Sequence, residues 1–108
     1  MNIRRERKLE MTNAIFKNVV AENFPTLKKM TPIVARVHSD GHPELADVRD
    51  IFQNMNEKVK TSEEADLKQD FEQLRTVTNN YEVPADGCEA YTTTYELLEE
   101  MDKIYHSL

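Results

Sequence analysis

The sequence predicts an all-α protein of one domain, and three observations support that fold class. Only two of the 108 residues are glycine, whereas turn-rich β proteins depend on glycine at many turns. Apolar residues recur at three- and four-residue spacing in four segments, and no segment alternates strictly between apolar and polar residues. No apolar run is long enough to span a bilayer and no signal peptide is recognisable, so we expect a cytoplasmic protein without a membrane segment.

The first predicted helix covers residues 10–38, and a basic arm or an extension of the helix precedes it at residues 1–9. Its apolar positions keep helical spacing throughout. Pro25 and Pro32 lie inside it, and each removes a backbone hydrogen-bond donor. We therefore expect a kink or a break in this helix.

The second helix is predicted to follow a turn at residues 39–43. Gly41 suits the end of a helix, and Pro43 suits the first position of the next helix. Apolar residues between 45 and 59 form one stripe, with charged residues on the other side. This pattern is typical of a helix that packs against a core through one face.

The third and fourth helices are predicted from residue 61 onward. Thr61 and Glu64 have the spacing of a capping box, which indicates the start of a helix. No glycine or proline separates them from the second helix, so the third helix follows the second through a tight turn or continues it. The composition of residues 78–87 indicates a loop. Apolar and aromatic residues at helical spacing predict a last helix over residues 88–108. The predicted architecture is a small antiparallel bundle of four helices.

Charge is distributed unevenly along the chain. Residues 1–39 carry a net charge of +5 and residues 40–108 a net charge of −11. We expect the basic first helix to pack beside the acidic later helices. The overall charge of −6 and the absence of aromatic residues among residues 4–8 argue against a nucleic-acid partner.

Two stretches of the sequence resemble one protein family. Residues 34–45 read VARVHSDGHPEL, which resembles the V-H-G-x-x-H-P-E-L segment of hemerythrin-like di-iron proteins of the iron–sulfur cluster repair branch. Residues 74–81 read LRTVTNNY and, with Pro84 and Cys88, resemble the T-N-N-Y-x-x-P loop and helix start of that branch. The resemblance implies an up-down antiparallel four-helix bundle and a link to iron–sulfur repair or the stress response.

Most of the family's iron ligands have no counterpart in this chain. The resemblance implies five histidines and two bridging carboxylates around two irons, but the chain has three histidines and only His38 matches a ligand. Other ligand positions fall at Lys17, Ser62, Glu64 and Asp66. The missing elements share one end of the implied bundle, and the two resembling stretches share the other end. We therefore predict a shortened hemerythrin-like bundle that lacks the di-iron site.

Two groups of side chains are the candidates for a metal site. His38, Asp40, His42 and Glu44 form the densest set of metal-capable residues, although the turn between the two histidines breaks the helix. Glu63 and Glu64 add carboxylates at the predicted start of the third helix. Our interpretation is that these residues cap helices and that no cofactor is bound. The alternative is iron or another divalent ion held by these residues, with or without a second subunit.

The function predicted from the sequence is a non-catalytic interaction module rather than an enzyme. Cys88 lies on the apolar stripe of the last helix, so we expect it in the core rather than in a redox site. No nucleophile, base and orienting group can be assembled from the sequence. The shortened end would expose apolar side chains, so we expect self-association or a protein partner there.

Overall fold

Four helices make up the fold of the part of this chain that the structure describes. The computed structural model describes the backbone of residues 3–62 and 65–107, and the side chains of residues 14–62 and 65–107. Within these residues the chain contains no strand, which confirms the predicted all-α fold class. The helices are α1 (Ile3–His38), α2 (Glu44–Thr61), α3 (Lys68–Val77) and α4 (Glu89–His106). None of the described helices combines the length and the apolar character that crossing a membrane requires.

Helix α1 is continuous over 36 residues although two prolines lie inside it. Each proline lacks the N–H that would bond the carbonyl four residues earlier. Both prolines are exposed, as are the residues four positions before them, so water can reach the two carbonyls. The break considered at Pro25 or Pro32 is therefore absent, and residues 3–9 continue the helix, which is one of the two forms expected for the N-terminal segment.

Helix α1 is also much longer than its neighbours. At a rise of about 1.5 Å per residue it spans about 54 Å, which matches the 53 Å long axis of the molecule. Helices α2 and α4 have 18 residues each and reach only about half as far. Phe16 is the first α1 residue with a described side chain that packs on the core. The N-terminal part of α1 thus extends beyond the other helices.

One apolar core lies between the helices, with α1 packed on α2 and α4, and α2 packed on α3. The apolar stripes predicted from the sequence supply the side chains of this core. Its largest fully buried side chains are Leu27, Val34, Leu45, Phe52, Met55, Leu67, Phe71, Leu74, Tyr91, Tyr95, Leu98 and Met101.

The first half of α1 contacts the end of α4, and the end of α1 contacts the residue before α4. Phe16, in the first half of α1, packs edge to face on Tyr105 near the end of α4, with ring centroids 5.3 Å apart. His38, the last residue of α1, contacts Cys88, which immediately precedes α4. The two helices are therefore antiparallel, and the turn after α1 lies beside the start of α4.

The connection between α2 and α3 differs from the predicted capping box. Thr61 is the last residue of α2, and its hydroxyl donates to the carbonyl of Glu57 at 3.0 Å. Helix α3 begins at Lys68, whose N–H donates to Oδ1 of Asp66 at 3.1 Å. Asp66 therefore bonds the start of α3, where Thr61 was expected to do so. Glu64, the predicted partner of Thr61, lies outside the described residues.

Three consecutive residues between α3 and α4 adopt the left-handed backbone conformation. The φ angles of Asn79, Asn80 and Tyr81 are 53°, 58° and 63°. Asparagine tolerates this region, but a tyrosine there is uncommon and strained. The N–H of Tyr81 donates to the Thr78 hydroxyl at 2.8 Å, and its own hydroxyl donates to buried Asp102 at 2.7 Å. These bonds hold the unusual turn in place.

Candidate functional site

The candidate site lies where the turn after α1 meets the loop before α4. Five side chains meet there, and we call them the turn-end cluster: His38, His42, Glu44, Asp86 and Cys88. The N–H of His42 donates to the carbonyl of His38 at 2.9 Å, which keeps the two histidines together after the helix has ended. The two stretches that carry the family resemblance therefore contact each other.

His42 lies between two carboxylates. Its Nε2 is 3.0 Å from Oδ1 and 3.1 Å from Oδ2 of Asp86, and its Nδ1 is 3.3 Å from Glu44. The hydrogen bond to Asp86 is the main reason why the pKa of His42 is raised above its ordinary value of 6.5. The same bond lowers the pKa of Asp86 below 3.8. The pair fastens the α1–α2 turn to the loop before α4.

Cys88 pairs with His38 at the edge of this cluster. Its Sγ lies 3.2 Å from Nε2 of His38, and the residue is exposed. The prediction that Cys88 lies in the core is therefore wrong, because the residue precedes α4 in extended conformation and its side chain faces the turn. This contact links the end of α1 to the residue that precedes α4.

Two buried tyrosines form the inner side of the cluster. The ring of Tyr91 packs edge to face against His38 and His42, with centroids 5.3 and 5.7 Å away. The hydroxyls of Tyr91 and Tyr95 are 3.5 Å apart. Burial raises the pKa of both phenols further above physiological pH, at which a phenol is already neutral. The two histidines of the cluster therefore pack against an uncharged aromatic side chain.

The His42–Asp86 pair predicts a defined pH window of added stability. A raised histidine pKa stabilises the fold below pH 6.5, and the effect is lost as pH rises through the folded-state pKa. A lowered aspartate pKa stabilises the fold above pH 3.8, and this stabilisation is lost as pH falls through the folded-state pKa of Asp86. We expect the difference in Tm between the wild type and Asp86→Asn to be largest between these values. Thermal melts from pH 3 to 9, with exposed Asp40→Asn as control, measure it; a difference that does not vary with pH contradicts the assignment.

The structure brings together only part of the predicted metal set. His38 and His42 belong to the turn-end cluster, whereas Asp40 is exposed in the turn. Glu63 and Glu64 lie outside the described residues. Among the residues that are described, no three histidine, cysteine, aspartate or glutamate side chains are arranged to hold a metal ion.

A di-iron centre does not fit the histidines that the chain has. His38 and His42 contact Cys88 and two carboxylates at one end of the molecule. His106 lies in the last turn of α4, with its Nδ1 2.7 Å from Asp102. The imidazoles are therefore divided between two places, and neither place within the described residues has three or more side chains arranged to hold a metal ion.

Two buried carboxylates were missed by sequence reasoning. Asp102 accepts the Tyr81 hydroxyl and lies 3.1 Å from Nε of Arg75 and 2.7 Å from Nδ1 of His106. Asp70 accepts hydrogen bonds from Lys58 at 2.7 Å and from Asn54 at 2.9 Å. These groups join α2, α3 and α4 rather than forming an open site.

A second feature with functional potential lies on the outside of α1. Among the side chains that the structure describes, the exposed large apolar residues are Ile15, Ile33 and Val37, with 52%, 40% and 64% of their surface exposed. Residues 15 and 33 are 18 positions apart, which is five turns of an α-helix, so they lie on the same side. Val37 follows Ile33 by about one turn. We call these three residues the α1 stripe.

Comparisons with known proteins do not assign the chain to a family. Neither protein-family models, nor curated proteins, nor solved structures gave a match. The geometry of the turn-end cluster and the α1 stripe is therefore the basis for a functional proposal.

Proposed function

We propose that the chain is a non-catalytic protein-interaction module on a hemerythrin-like, up-down four-helix scaffold without a di-iron site. The antiparallel contacts of α1 with α4 support this topology. The resemblance of residues 34–45 and 74–81 to the iron–sulfur repair branch supports a role linked to that process or to the stress response. The division of the three histidines between two places supports the loss of the iron chemistry.

The α1 stripe is the observation that carries the interaction role. Exposed apolar side chains that share one side of a helix can serve as the anchors through which a partner protein binds. Here all of those described lie on α1, and α1 is also the helix that extends beyond its neighbours. The sequence predicted a partner at the shortened end of the bundle. The described side chains favour the outer side of α1 instead.

Site-specific photo-crosslinking in cells tests this role. A photoreactive amino acid at Val37 probes the α1 stripe, and the same group at Gln53, an exposed residue of α2, is the control. We expect discrete protein adducts from position 37 and none from position 53, with each adduct identified by mass spectrometry. Equal labelling from both positions, or no adduct from position 37, contradicts the proposal.

A metal titration tests the alternative, an iron-binding protein whose site includes His38 and His42. We expect no stoichiometric uptake of Fe²⁺ by the purified chain under anaerobic conditions. Uptake near one ion per chain that the double variant His38→Ala and His42→Ala abolishes would support the alternative and overturn the non-metal proposal. The exposed variant Asp40→Asn then shows whether the third predicted ligand contributes.

A further inference from the structure

The line through the α1 stripe continues in a regular pattern along the helix. Starting from Ile15, the positions at alternating steps of four and three residues are Val19, Glu22, Thr26, Lys29 and Ile33, and Val37 is one turn further on. This 4-3 spacing is the pattern by which one helix packs along another. Val19 is half-buried and Glu22, Thr26 and Lys29 are exposed, so the line follows the border of the core on the outside of α1.

We propose that this face of α1 binds a second copy of the chain, with the two α1 helices antiparallel about a two-fold axis near residues 24–26. The inference rests on the proposed interaction role and names its partner. A two-fold contact requires a surface that is complementary to itself. The order of residues along the line meets that requirement.

The apolar residues pair in this arrangement. Both ends of the line are apolar, with Ile15 and Val19 at one end and Ile33 and Val37 at the other. An antiparallel axis near residue 25 places Ile15 beside Ile33 and Val37 of the second copy, and the symmetry repeats this contact at the other end. In a parallel pair, each apolar end would face the same end of the second copy, but Glu22 would face Glu22 and Lys29 would face Lys29, so the like charges disfavour that arrangement.

The central charges pair in the same arrangement. Glu22 and Lys29 lie at similar distances on either side of the axis, so Glu22 of each copy lies beside Lys29 of the other. The two-fold symmetry generates this opposite-charge contact twice. Within one chain the two residues are seven positions apart, which is about 10 Å along the helix and too far for a direct ion pair.

The N-terminal part of α1 adds a longer-range attraction. In the antiparallel pair the backbone of residues 3–13 continues past the end of the second copy's α1. These residues carry a net charge of +2. They pass the C-terminal end of the second copy's α1, where the carboxylates of Asp40, Glu44 and Asp86 lie. We therefore expect association to weaken as the salt concentration rises.

Sedimentation equilibrium of the purified full chain tests the dimer. We expect a reversible monomer–dimer equilibrium that Val37→Glu weakens at least about tenfold, because the contact then buries an unpaired carboxylate. Gln53→Glu, which makes the same kind of change on the exposed side of α2, serves as the matched control and leaves the dimer unchanged. Val37 is mostly exposed in the monomer, so Val37→Glu remains folded, as circular dichroism will verify.

Charge reversal tests the antiparallel register. Glu22→Lys and Lys29→Glu each place like charges together and weaken the dimer, and the double variant restores association to near the wild-type level. Neither residue packs in the core, so the three variants share one monomer structure. Single variants without effect, or a double variant no tighter than the singles, overturn the register.

The possible failures of the two proposals are distinguishable. A chain that stays monomeric at millimolar concentration, or a dimer that Val37→Glu leaves intact, overturns pairing with a second copy. If position 37 nevertheless crosslinks to a different protein in cells, the interaction role of the α1 stripe stands with another partner. If neither dimer nor adduct is found, both proposals fail.

Discussion

Replacing Phe52 with alanine is expected to lower the free energy of unfolding by about 3–5 kcal/mol. Phe52 is 1% exposed in the middle of α2. Its ring packs edge to face on Phe24 of α1, with centroids 4.9 Å apart. Alanine removes this contact and leaves a cavity between the two helices, which the neighbouring side chains fill only in part.

Urea unfolding of the purified protein measures this loss. The control is Gln53→Ala, because residue 53 follows Phe52 directly but is exposed, and we expect a change within about 0.5 kcal/mol. Similar losses for both variants would show that α1 and α2 are not held together through the Phe24–Phe52 contact.

Replacing Asp102 with alanine is expected to cost about 2–3 kcal/mol of the free energy of unfolding. Asp102 is 6% exposed, and the Tyr81 hydroxyl donates to it inside the protein. Without the carboxylate this buried hydroxyl loses its acceptor. Arg75 and His106 also lose their ion-pair partner, but 38% and 36% of their side chains are exposed to water, which limits the loss.

A double-mutant cycle separates the Tyr81–Asp102 bond from the other contacts of Asp102. We expect Tyr81→Phe alone to destabilise by about 1–2 kcal/mol and to have a much smaller effect once Asp102 is already alanine. Glu100→Ala, at an exposed position of α4, is the control and is expected to be nearly neutral. Strictly additive effects of the two substitutions would contradict a direct bond.

The four helices could be predicted from the sequence because helical periodicity is local. The stripes of α2 and α4 identified residues such as Phe52, Tyr95 and Leu98, all of which are buried. Periodicity did not separate the exposed Ile33 and Val37 of α1 from its core positions, because that depends on which neighbours cover each side. The end of α2 at Thr61 was also misread, since the spacing of a capping box does not show which helix the residue belongs to.

The candidate site could be predicted only in part, because its contacts join distant parts of the chain. His38 and His42 were identified from the sequence, but their partners Cys88 and Asp86 lie 50 and 44 residues away. The one available signal was the family resemblance, which placed both loops at the same end of a bundle. The buried role of Asp102 had no such signal, because an aspartate among other charged residues of a helix gives no sign of burial.

The left-handed turn at residues 79–81 ties the loop to the last helix during thermal fluctuations. A strained tyrosine keeps its backbone conformation only while its hydroxyl and ring are held, and the hydroxyl is held by Asp102 of α4. Local detachment of α4 therefore releases the turn as well. The amide hydrogens of this loop and of α4 should exchange with solvent deuterium as one cooperative unit.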